Sequence, residues 1–129
     1  ALKAAKKVSG KTKIVGVTVL TSLNNKKIKQ IGHTRSIKNL VIHQAKLASK
    51  ANLDALVCSA YEVPYVKKIF KKEIITPGIR LIGDKVKDQK RISTPKKAFE
   101  IGATSIVIGR SITNGNVANN IQRLIKSLN

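Results

Sequence analysis

Residues 74–80 read Ile-Ile-Thr-Pro-Gly-Ile-Arg. The stretch is apolar and β-branched without alternating polar residues, then breaks at Pro77-Gly78 and ends on a charge. A short continuous apolar run of this kind suits a strand buried on both faces of a parallel sheet. Three more runs share its form: residues 14–20 (IVGVTVL), 55–60 (ALVCSA) and 105–110 (SIVIGR), with the third of the four strands at 74–79 (IITPGI).

The segments between these runs carry helical spacing. Residues 37–51 place Leu40, Val41, Ala45 and Ala48 on one stripe, with Lys38, His43 and Lys46 elsewhere. Pro64 stands near the start of a segment through Tyr65, Val66, Ile69 and Phe70, where its missing N–H does no harm. Thr94-Pro95 reads as an N-cap followed by proline at the first helical position, with Gly102 just past the helix end. A last helix begins near Asn116 and presents Val117, Ile121, Leu124, Ile125 and Leu128 on one side. A helix followed by four strand–helix units is α/β with a parallel sheet. That is half of an eight-unit barrel, which needs about 250 residues, and a half barrel has bare edges and a bare inner face.

The chain of 129 residues, 42% hydrophobic, is read as one partial barrel domain over residues 1–129. It contains no apolar run of membrane-spanning length and no signal-peptide pattern, and a cytoplasmic location is expected. The lone Cys58 forms no internal disulfide and reads as a core residue of its strand. His33 and His43 have no Cys or carboxylate partners at ligand spacing, so no metal is expected. Lys and Arg number 26 against 6 Asp and Glu, a formal charge of +20. Such a charge attracts phosphate, but the basic residues are scattered and aromatics are only 3% of the chain. A solvated lysine-rich surface is the favoured reading over a nucleic-acid platform. No glycine-rich fingerprint follows the first strand, against a dinucleotide fold. The connection after the third strand is the longest and lies where α/β proteins bind ligands.

Several strand ends carry a further pattern. Val17-Thr18-Val19-Leu20-Thr21-Ser22 closes the first run, and Val57-Cys58-Ser59-Ala60 with Glu62 closes the second. Thr76-Pro77-Gly78-Ile79-Arg80 is followed by Asp88-Gln89, Arg91 and Thr94-Pro95, and Ile108-Gly109-Arg110 with Ile112-Thr113 ends the fourth. In this order and spacing the chain resembles the orotidine 5′-phosphate decarboxylase family along essentially its whole length, as the C-terminal half of that family's barrel.

The resemblance implies a cofactor-free (β/α)8 barrel that grips a nucleotide phosphate with the loops after its last two strands. Arg80, Gln89, Gly109 and Arg110 match the family's phosphate-binding positions, and Thr21 matches a position touching the base or ribose region. The implied ligand is orotidine or uridine 5′-phosphate. Arginine suits a dianion through its forked donors, and glycine lets a backbone N–H approach. Each residue also has a plainer reading: a surface ion pair for Arg110, a tight turn for Gly78 and Gly109, a solvated loop for Gln89, a helix cap for Thr21. Ser111, where the family usually has proline, and Lys87, where a small residue is usual, depart from the pattern.

The family's chemistry uses an Asp-x-Lys-x-x-Asp run, whose lysine protonates the carbanion left as CO2 departs. No such run occurs here, and the aspartates are Asp54, Asp84 and Asp88. No catalytic residue is therefore expected in the chain. The leading expectation is a truncated, inactive copy. The alternatives are half of a split enzyme pairing with a separate N-terminal chain, or a basic phosphate- or nucleic-acid-binding module. Self-association through the bare edges is also expected.

Overall fold

A computed structural model describes residues 1–84 and 91–129. In chain order the elements are α1 (Leu2–Val8), β1 (Val15–Val17), α2 (Asn25–Gln30), α3 (Ile37–Lys50), β2 (Ala55–Val57), α4 (Val63–Ile69), β3 (Glu73–Thr76), α5 (Pro95–Glu100), β4 (Ser105–Ile106), α6 (Arg110–Thr113) and α7 (Val117–Leu128). The four strands pair in parallel in the order β1-β2-β3-β4. Helices connect each strand to the next, as half of a barrel requires.

The helix boundaries follow local chemistry. Ser36 caps α3 by accepting from the Asn39 N–H at 3.3 Å, and Thr94 and Asn116 do the same for Lys97 and Asn119 at 3.3 and 3.0 Å. Pro95 opens α5, and Gly102, at φ +104°, turns the chain out of it. Ile37, Leu40, Val41, Ala45 and Ala48 form the buried stripe of α3.

The strands are shorter than their apolar runs. Ladder pairing stops at Val17, Val57, Thr76 and Ile106 rather than at 20, 60, 79 and 110. One further bond per pair runs past those points, from the Thr18, Cys58 and Val107 N–H groups to the Val57, Ile75 and Thr76 carbonyls, and Val19, Cys58, Ala60 and Ile79 stay buried. Apolar content reported burial, and burial outlasts the hydrogen-bonded ladder. Arg110, read as the last residue of a strand, is the first residue of α6.

Gly16, Leu56 and Ile74 stand side by side in register and face the helices. A Cβ at Gly16 would lie 2.8 Å from Leu53 Cδ1, so the close packing there leaves no room for a side chain. The alternate row runs Val17, Val57, Ile75 and Ser105 and faces away from the helices. On that inner face Val15, Val17 and Val107 are 44, 61 and 51% exposed. The apolar side of α7 is also bare, with Val117, Ile121, Ile125 and Leu128 exposed and Asn120 its buried residue. Among the described residues no helix is long and apolar enough to cross a membrane.

Candidate functional site

The turn after β3 is fixed by its own backbone. Gly78 adopts φ +78°, a conformation that favours glycine, and a Cβ there would come 2.9 Å from the Arg91 carbonyl oxygen. The Ser93 N–H donates to the Gly78 carbonyl at 3.1 Å, and the Arg80 N–H donates to the Ser93 carbonyl at 2.9 Å. Two sequence-distant stems are thereby pinched together. The intervening chain includes residues 85–90, so Asp88 and Gln89 lie outside the described residues.

Arg80 follows the pinch and is buried, with Nη1 donating to the Ile79 carbonyl at 2.8 Å. It and Arg110, at the start of α6, line one pocket of about 320 Å³ beside β3 and β4. Asp84, Ser111, Asn120 and Arg123 also line it. Gly109 caps α6 at φ −97°, and a Cβ there would meet no heavy atom within 4 Å. Gly109 does begin a turn, its carbonyl accepting from the Ile112 N–H at 2.8 Å, and the space beside it is open, whereas Gly78 is held by both conformation and close packing.

Thr21 is placed apart from this pocket's lining. Its Cγ2 lies 3.6 Å from where a Cβ of Gly78 would be, on the β1 side of the pinch. It does not cap the next helix: Asn24 does, accepting from the Lys27 N–H at 2.9 Å. The structure thus brings Arg80 and Arg110 together and sets Thr21 against the turn that carries Arg80.

Three groups escaped the sequence reading of roles. Arg91 ion-pairs with the buried Glu62 carboxylate, which also accepts from the Ser59 hydroxyl. Its Nη2 donates to the Val19 and Leu20 carbonyls at 3.3 and 2.9 Å. One guanidinium therefore fastens the far stem of the loop to the ends of β1 and β2. Arg123 and Asn120, on α7, are the other two. Arg123 Nη2 donates to Asp84 Oδ1 at 3.0 Å and to the Ile82 carbonyl at 3.2 Å, while Nη1 donates to Asn120 Oδ1 at 3.2 Å. The signal that could have found these residues is compositional. Only Arg35, Arg80, Arg91, Arg110 and Arg123 are arginine among the 26 basic residues, and all but Arg35 gather at this end of the sheet. In a chain that uses lysine for surface charge, arginine marks places needing a forked donor.

Burial pushes the Asp84 carboxyl up, but the Ser111 hydroxyl, the Arg123 guanidinium and the Leu81 N–H outweigh it and leave it below its ordinary 3.8. Asp84 therefore stands as a carboxylate against Arg123. Cys58 is a buried thiol pushed up to about 12, chiefly by burial and secondarily by Glu62, so it is no nucleophile at neutral pH. His33 and His43 are exposed, and no cluster of three metal-ligating side chains occurs among the described residues. Asp54 is at the opposite end of the sheet, accepting from Lys6 Nζ at 2.6 Å and from the Ile14 N–H at 2.7 Å.

The family model described as orotidine 5′-phosphate decarboxylase / HUMPS matches residues 1–123. The orotidine 5′-phosphate decarboxylase of Wolbachia sp. subsp. Brugia malayi is 49% identical over 121 residues, covering 92% of this chain and 53% of that protein. The enzyme of the same name from Bacillus mycoides is 45% identical over 102 residues, covering 77% of this chain and 43% of its own length. The chain thus spans about half the length of the curated relatives it matches. Among solved structures, orotidine 5′-phosphate decarboxylase from Lactobacillus acidophilus superposes with a TM-score of 0.79 at 27% identity, over 99% of this chain and 58% of that one. The Metallosphaera sedula enzyme, at 18% identity and a TM-score of 0.67, is alike in fold.

Proposed function

The chain belongs to the orotidine 5′-phosphate decarboxylase / HUMPS family, and from that premise we propose that it holds the phosphate of a pyrimidine mononucleotide. Arg80, Arg110 and Gln89 supply side-chain donors, Gly109 supplies a backbone N–H, and Thr21 meets the base or ribose. The observation that carries this is the convergence of Arg80 and Arg110, from adjacent strand ends, on one pocket beside an unobstructed glycine. Two guanidiniums offer forked, charge-assisted bonds to a dianion. The setting is the one that barrel phosphate sites favour, in the loops after the last two strands.

The reaction in which this site takes part is the decarboxylation of orotidine 5′-phosphate to uridine 5′-phosphate. In that step the bond from the ring carbon to the carboxylate breaks, CO2 departs, and the electron pair left on the carbon takes a proton from an ammonium group. The 129 residues hold no Asp-x-Lys-x-x-Asp run, so these groups come from other residues of the assembled enzyme. This segment on its own binds without catalysing. The exposed inner face at Val15, Val17 and Val107 is where the complementary half of the barrel packs, whether in the same chain, a separate one or a second copy.

Uridine 5′-phosphate titration tests the pocket. Arg110→Ala should cost about 1.5–3 kcal/mol of binding, the scale of a charge-assisted hydrogen bond. Binding indifferent to Arg110 sinks the assignment. Polynucleotide binding that falls steeply with salt and ignores Arg110 favours the basic-module reading instead.

A further inference from the structure

The phosphate pocket has two walls that are not continuous in sequence: the turn bearing Arg80, and the start of α6 bearing Gly109 and Arg110. Each wall is a short piece of backbone whose arginine must be aimed. What joins them is a set of polar contacts from α7 and Ser111. Asn120 Nδ2 donates to the Ile112 and Asn114 carbonyls at 3.1 and 2.7 Å, which holds the end of α6. Asn120 Oδ1 accepts from Arg123, and Arg123 reaches across to Asp84 Oδ1 and the Ile82 carbonyl, which hold the β3 turn. The Leu81 N–H donates to Ser111 Oγ at 3.4 Å, a second and weaker link between the same walls. Asn120 is buried although the apolar side of its helix is bare, so α7 is seated by these polar contacts.

Asp84 is the anomaly in this arrangement. A carboxylate lining a pocket for a dianion repels the ligand, so on charge alone it should be absent. Its presence is explained if what it does for Arg123 outweighs what it does to the phosphate. We propose that Asp84 and Arg123 form a brace that positions the phosphate pocket, holding the Arg80 turn to the Arg110 helix through α7. Both are positioning residues, and the inference rests on the phosphate-pocket reading above. The arginine at position 123, in a chain whose basic residues are mostly lysine, fits the role: one guanidinium bridges three acceptors from two segments, which an ammonium on a flexible stem does poorly.

The brace and the charge make opposite predictions for Asp84. Asp84→Ala and Asp84→Asn remove the same negative charge, but asparagine keeps an oxygen that accepts from Arg123. If the carboxylate matters only as a charge, both variants should bind uridine 5′-phosphate more tightly and to the same degree. If it is a brace, Asp84→Ala should bind roughly tenfold more weakly and Asp84→Asn should lie between it and the parent. Arg123→Ala should weaken binding similarly, with Arg123→Lys recovering only part of the loss. Titrations on the full protein, with melting curves recorded for each variant, read this out. Isosteric Asp84→Asn keeps the test meaningful where the alanine variant melts early. Equal tightening in both Asp84 variants, or unchanged affinity in Arg123→Ala, overturns the brace. Arg110→Ala run in parallel separates the two ideas. If it weakens binding while the Asp84 and Arg123 variants do not, the pocket stands and the brace falls. If Arg110→Ala is also silent, both fall.

Discussion

Where the strands begin, Leu53 and Phe70 lead into β2 and β3 as fully buried apolar side chains, and Asp54 ties the edge through Lys6 and the Ile14 N–H. Where the strands finish, Arg80, Arg91, Arg110 and Arg123 gather, and Arg91 and Arg123 find acceptors in carbonyls and carboxylates far apart in sequence. Apart from the Asp54 tie, one end of the sheet is closed by contacts that need only volume, the other by donors that need direction. Apolar packing tolerates imprecision in angle, whereas a forked hydrogen bond does not, so a ligand site belongs at the second end. Substitutions at the first end should therefore register in stability, and substitutions at the second in binding.

The largest separation should come from Phe70→Ala. It empties a fully buried site and should cost about 3–5 kcal/mol of folding stability in chemical denaturation. Uridine 5′-phosphate affinity of the protein that remains folded should be unchanged. A loss of affinity comparable to that of Arg110→Ala would join the two ends and break the contrast.

Gly78→Ala probes the other end. Holding alanine at φ +78° costs about 1–2 kcal/mol, and its Cβ would press on the Arg91 carbonyl at 2.9 Å. The pinch must open, so nucleotide binding should fall more than the melting temperature does. The reverse order would place Gly78 with the structural end.

Acid should loosen the structural end through Asp54. The Lys6 hydrogen bond and then the Ile14 N–H hold the Asp54 carboxyl below its ordinary 3.8, against a smaller opposing effect of burial. A depressed carboxyl adds stability above its unfolded pKa, and that contribution is lost as pH falls through the folded value. Stability should therefore decline below about pH 3.8, and Asp54→Asn should decline less over that window. Parallel acid curves for the two proteins would remove Asp54 from the account.

The smallest effect sharpens the border between the ends. Cys58 follows β2 directly, and its thiol, pushed up to about 12, should resist alkylation at neutral pH until the chain is denatured. Rapid labelling of folded protein would show that the arginine-rich end opens down to the ladder.

The order of strands and helices was legible because it is written in local periods. Ile37 to Ala48 repeat on one helical face, and Thr94-Pro95 and Gly102 mark a beginning and an end. Strand ends were less legible, since Val19, Ala60 and Ile79 are buried whether or not they pair. Arg80 and Arg110 stand at the ends of readable runs, but it was the family resemblance that named them as phosphate ligands, and Gln89 falls outside the described residues. The clasps could not be read. Glu62 with Arg91 and Asp84 with Arg123 join positions 29 and 39 residues apart, and no period connects them. The direction in which α7 faces was equally hidden, because its apolar stripe suggests a core contact while Asn120 is the residue buried.

The pinch between Gly78, Arg80 and Ser93 also bears on how this region can change over generations. With the stems fixed by backbone bonds, the length of chain between them is almost free: doubling a flexible loop adds only on the order of 0.6 kcal/mol of closure entropy. Apart from Ile82, Asp84 and Arg91, which are tied to α7 and to the ends of β1 and β2, residues between the stems can be gained, lost or exchanged at little cost to folding, which leaves them open to selection on the ligand.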